Sequence, residues 1–85
     1  INEKMLDIIN LLKILLKMKS AKYAVPTRLI ASNQDLEDLI LDKKSDIPAL
    51  KGWRWDVFGK DAIKLKNGEV AIYRSKEGLK LINIS

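Results

Sequence analysis

Between Met5 and Leu16 the apolar residues Met5, Ile8, Ile9, Leu12, Leu15 and Leu16 recur at helical spacing. That period commits the start of the chain to an amphipathic helix over about residues 2–19, whose apolar stripe other elements must cover. Leu11 and Met18 widen the shoulder of the stripe, and Glu3, Asp7, Asn10, Lys13 and Lys17 fall on the opposite face. Leu6 and Ile14 do not fit, since they flank the polar side. They read either as scattered exposed apolar groups or as a contact with a neighbouring domain. A chain of 85 residues hides only about 60–65% of its unfolded surface. Its length therefore suits one small domain, residues 1–85, and not a two-domain enzyme with a deep cleft. It opens with Ile1 rather than Met, which predicts a piece of a longer polypeptide.

The remaining signals extend a mainly α fold, a small bundle of about four to five helices over residues 2–66. Ser20 to Tyr23 should end the first helix. Val25-Pro26 forces extended backbone, and Pro26 suits the first turn of a short helix, Thr27 to Ala31. Ser32 is a good N-cap for a third helix over about 33–42, with Asp35 at its third position and Leu36, Leu39 and Ile40 as its buried stripe. Lys43 to Asp46 reads as a polar loop and Ile47-Pro48 as the start of another turn. Gly52-Trp53-Arg54-Trp55 opens a helix to about Phe58, with Trp53 as a core anchor sharing a face with Val57 and Leu50. Gly59 marks a break or a close helix contact. Residues 62–66 suit either a helix over about 60–66, stopped by Asn67-Gly68, or one arm of a hairpin; the helix is favoured. The character then changes. Glu69 to Arg74 and Leu79 to Ile84 are rich in Val, Ile and Tyr and flank Ser75-Lys76-Glu77-Gly78, which predicts a C-terminal β-hairpin over about 69–84 packed on the helices.

Several chemistries are excluded by what is missing. With no cysteine there is no disulfide, zinc thiolate or cysteine nucleophile. With no histidine the usual general base and the commonest metal ligand are gone too. Asp35, Glu37, Asp38 and Asp42 cluster in sequence but read as a solvated acidic face, and the four glycines are scattered rather than forming a phosphate loop. No catalytic and no metal residue is assigned, and no cofactor is expected in this piece. The apolar run from Met5 to Met18 is interrupted by Asp7, Asn10, Lys13 and Lys17, so neither a membrane span nor a signal peptide is expected, and the default location is the cytoplasm.

Charge supplies the positive argument. The chain carries 16 basic and 11 acidic residues, a net +5. Residues 1–26 sum to +3, residues 27–50 to −2 and residues 51–85 to +4. An anion-binding face should thus combine the first helix with the C-terminal third. Lys51, Arg54, Lys60, Lys64 and Lys66 crowd a stretch that also holds Trp53, Trp55 and Phe58. Arginine pairs bidentately with phosphate, lysine supplies point charge, and an exposed tryptophan stacks on an unpaired base. The candidate nucleic-acid contacts are Lys13, Lys17, Lys51, Arg54, Trp55, Lys60, Lys64 and Lys66. Arg54 also suits an ion pair with Asp56 or Glu37, and the lysines also suit ordinary solubilising charge.

A longer pattern runs through the chain: Val25-Pro26-Thr27-Arg28-Leu29-Ile30-Ala31-Ser32, Asp35-Leu36-Glu37, Ile47-Pro48-Ala49-Leu50-Lys51-Gly52-Trp53-Arg54, Val57-Phe58-Gly59 and Ala62. It resembles the C-terminal region of bacterial ribonuclease D, in the versions from alphaproteobacteria, which is a helical domain of the helicase-and-ribonuclease-D C-terminal type. The resemblance implies a parent 3′–5′ exoribonuclease that trims the 3′ ends of transfer RNA. It implies divalent metal, Mg²⁺, bound by acidic residues of an exonuclease domain that has no matching motif here. For this piece it implies an accessory module that helps hold RNA, with transfer RNA precursors and the exonuclease domain of the parent as partners and no membrane. Domains of this type often end without strands, so the hairpin is a departure. Two other functions fit the sequence: a structural module docked on the exonuclease domain through Leu6 and Ile14 without touching RNA, and a DNA-binding domain of the helicase-associated kind.

Overall fold

The computed structural model describes residues 2–42 and 46–84. Lys43, Lys44 and Ser45, most of the expected polar loop, lie outside the described residues. The elements in order are α1 (Glu3–Tyr23), α2 (Thr27–Ile30), α3 (Asn33–Ile40), a 3₁₀ turn (Pro48–Leu50), a π-helical turn (Trp55–Gly59), α4 (Lys60–Lys66), β1 (Val70–Ser75) and β2 (Gly78–Asn83). This is the mainly α bundle with a terminal hairpin that the residue pattern predicts, and residues 62–66 are helical.

α1 is the spine. Asn2 caps it by accepting from the Met5 N–H at 2.9 Å. Its buried Ile9, Leu12, Leu15 and Leu16 face Ile30, Leu36, Leu39, Ile47, Phe58, Ala62, Leu65 and Val70 in one core. The helix ends at Tyr23, inside the Ser20–Tyr23 stretch where the sequence expects its end, because Ala24 supplies the terminator. That residue is left-handed (φ 55°, ψ 43°) and its N–H returns to the Ser20 carbonyl. Ser32 caps α3 reciprocally with Asp35: its hydroxyl accepts from the Asp35 N–H at 3.1 Å, and the carboxylate accepts from the Ser32 N–H at 3.2 Å. α3 stops before Asp42, whose φ of 55° cannot continue a helix.

Of the two readings of Gly59, a break or a close contact, the second holds. Trp53 and Arg54 are helical, the backbone widens through Trp55–Gly59, and it passes directly into α4. Gly59 is the close contact. A Cβ there would sit 2.6 Å from the Ala49 carbonyl oxygen, so the widened turn lies against the 3₁₀ turn as only glycine allows. The extra residue also shifts helical phase. Phe58 becomes the fully buried aromatic, and Trp53, expected as a core anchor, is 45% exposed.

β1 and β2 form an antiparallel two-stranded sheet in which Val70 pairs Asn83, Ile72 pairs Leu81 and Ser75 pairs Gly78. Val70, Ile72 and Leu81 share the inward face and pack on the core. Tyr73 and Ile82, on the other face, are exposed.

Candidate nucleic-acid interface

The helical stretch from Trp53 to Lys66 presents its polar side outward because Phe58, Ala62 and Leu65 hold the other side in the core. Within the π turn the Lys60 N–H bonds the Trp55 carbonyl, which places Lys60 one turn along from Trp55. Lys64 follows one α turn later. Trp55 is 40% exposed, and both lysines are exposed. The outward side therefore carries an aromatic ring followed by two cations.

Arg54 precedes Trp55 by one residue, about 100° away around the helix axis, and faces α2 and the 3₁₀ turn instead of lying in this row. Its guanidinium lies 4.6 Å from the centre of the Trp53 ring, and its Nε donates to the Leu29 carbonyl at 2.8 Å. Among the described residues it forms no ion pair with Asp56 or Glu37. The Leu29 bond fixes the stem of the arginine and leaves the ends of its fork for an anion. Beside it lies a shallow depression of about 270 Å³, walled by Arg28, Arg54, Pro48 and residues 29–32. Arg28 is thus a second guanidinium at the site. The sequence carries no signal for it, because Arg28 stands alone on α2, far from the basic C-terminal stretch. Asp35 also lines the depression, but its carboxylate is already bonded to the Ser32 N–H.

Other predicted positions are differently placed. Lys66 points to the end of α3, its ammonium 3.2 Å from Asp42. Lys51 pairs with Asp46 at 3.0 Å, in an exposed geometry that costs little to open. Lys13 and Lys17 are exposed one turn apart on α1. The side of α1 that meets α4 is marked by Lys19, largely buried and 2.6 Å from Asp61. Lys17 lies two residues from Lys19, about 160° away around the helix axis at about 100° per residue. The lysine pair of α1 and that of α4 accordingly occupy different sides of this contact. Leu6 and Ile14 are exposed on α1.

Among the described residues, no group of three carboxylates, histidines or cysteines comes together as a metal would require, and no helix is long and apolar enough to cross a membrane.

Sequence comparison supplies relatives for the chain. The chain is 47% identical over 75 residues to ribonuclease D of Granulibacter bethesdensis, which covers 88% of the chain and 19% of the relative. It is 44% identical over 64 residues to ribonuclease D of Nitrobacter hamburgensis, covering 75% and 17%. It is 43% identical over 77 residues to ribonuclease D of Zymomonas mobilis, covering 88% and 20%. The chain thus spans about a fifth of the length of these curated relatives. No family model matches the chain, and no solved structure does.

Proposed function

Because this chain corresponds to a segment of ribonuclease D of the alphaproteobacterial type, we propose that it is the accessory RNA-holding domain, at the C-terminus, of a 3′–5′ exoribonuclease. The parent acts in the cytoplasm on the 3′ ends of transfer RNA precursors. Bond cleavage, with its divalent metal, belongs to the exonuclease domain elsewhere in the parent. This segment works by capture. Arg28, Arg54, Lys60 and Lys64 attract phosphates with little reading of sequence, and Trp53 and Trp55 offer ring faces to unpaired bases.

The observation that carries this reading is the exposed Trp55 followed by Lys60 and Lys64 along one side of the helix, with the exposed Trp53 stacked by Arg54 on another side. A domain this small gains most by burying its largest side chains. That two of them stay half in solvent among basic residues supports a role in stacking on bases. The test is charge reversal at Lys60 and Lys64, with affinity for a fluorescein-labelled transfer RNA precursor followed by anisotropy. The double variant should bind at least tenfold more weakly, and undiminished binding overturns the assignment of this face. Competition with single-stranded DNA distinguishes the RNA role from that of a helicase-associated DNA-binding domain.

A further inference from the structure

α1 carries a second apolar line besides the buried one. Leu11, Ile14, Met18 and Ala21 follow one another at spacings of three and four, so they lie along one side of the helix. Leu11 and Ile14 are 42% and 38% exposed. The line runs into a groove of about 740 Å³ between the last turns of α1 and strand β2, floored by Met18, Ala21, Leu79 and Leu81. Leu79 belongs to the inward face of the hairpin, yet it is 48% exposed and lines the groove. Lys17, Lys22 and Lys80 stand at the rim. Glu77 meets Lys80 only at 3.6 Å in an exposed pair.

We propose that this groove docks an acidic amphipathic helix of a protein partner. The line from Leu11 to Ala21 is about 15 Å long at the rise of an α-helix, which matches about three turns of a partner helix. Two leucines of β2 supply a side wall for its apolar anchors, and three lysines face the edges where its carboxylates would lie. The aliphatic floor has no ring on which a base could stack, which separates the groove from the tryptophan face. The two surfaces can be tested independently.

The probe is a fluorescein-labelled synthetic helix of 18 residues with leucines on one face and glutamates on the other, compared with a twin carrying lysines in place of the glutamates. The glutamate helix should bind the chain at least tenfold more tightly than its twin. Leu79→Asp and, separately, Ile14→Asn should each weaken binding at least tenfold, with thermal melts confirming that both variants fold. Equal binding of the twins, no binding of either, or full binding by both variants overturns the proposal. So does a concentration-dependent dimer that Leu79→Asp disperses, which would give the groove to a second copy. Displacement of the helix by stoichiometric transfer RNA would give it to nucleic acid, and is equally fatal.

Discussion

Gly59→Ala tests whether the packing that sets up the tryptophan face is as tight as the structure shows. Gly59 has ordinary helical dihedrals (φ −56°, ψ −45°), so alanine suits its backbone. In an open helix the change would add about 1 kcal/mol of stability. Here the new methyl group would stand 2.6 Å from the Ala49 carbonyl oxygen and 3.1 Å from both Leu50 Cδ2 and Trp55 Cε3. The closest neighbour is backbone of a fully buried residue and cannot swing aside. The π turn and the 3₁₀ turn must separate. Overpacking of this kind costs about 1–3 kcal/mol, and contact with rigid backbone belongs in the upper half of that range. Subtracting the helical gain leaves a net loss of about 1–2 kcal/mol. For a domain of this size that lowers Tm by about 5–15 °C. Thermal denaturation followed by circular dichroism measures the loss, and tryptophan emission should shift because Trp55 lies against the same methyl group. A variant that melts at or above the parent temperature would refute the close approach of the two turns.

Other consequences are as specific. Lys19→Met should cost about 3–5 kcal/mol by leaving Asp61 charged and partly buried without its partner, and Lys19→Met with Asp61→Leu should recover most of that loss in chemical denaturation. Ala24→Gly should stabilise by about 1 kcal/mol, since Ala24 holds a left-handed conformation that glycine adopts freely; an unchanged denaturation midpoint would contradict the assigned C-cap. Trp53→Ala should weaken RNA binding by the equivalent of about 1–3 kcal/mol while leaving Tm nearly unchanged, a pattern that a core tryptophan could not give.

The fold was largely legible because its signals are local. The stripe of α1, the Ser32–Asp35 cap, the Pro26 helix start and the Ser75–Gly78 turn each follow from a few neighbouring residues. The candidate site was legible in part. A basic, tryptophan-bearing stretch is visible in sequence. The phase of its side chains is not, because the π turn adds a residue that no apolar period announces. With that insertion Phe58 fills the core and Trp53, expected there, stands 45% exposed. Arg28 and the Leu29 carbonyl reach Arg54 only through tertiary packing of α2, 25 residues away. Lys66 and Asp42 meet across a similar separation of 24 residues, so a lysine that looked free in sequence turned out to face a carboxylate. The groove beside β2 depends on how far the hairpin tip stands off α1, which no local rule fixes.

If this segment grips a polyanion through phosphates, its affinity for a labelled transfer RNA precursor must fall steeply between about 50 and 200 mM salt. Four phosphate contacts, from Arg28, Arg54, Lys60 and Lys64, predict a slope of about −2.8 in log affinity against log salt on single-stranded RNA, and hence about a 50-fold weakening across that range. Binding that is absent at the lower salt, or that changes by less than about twofold between the two, contradicts the account.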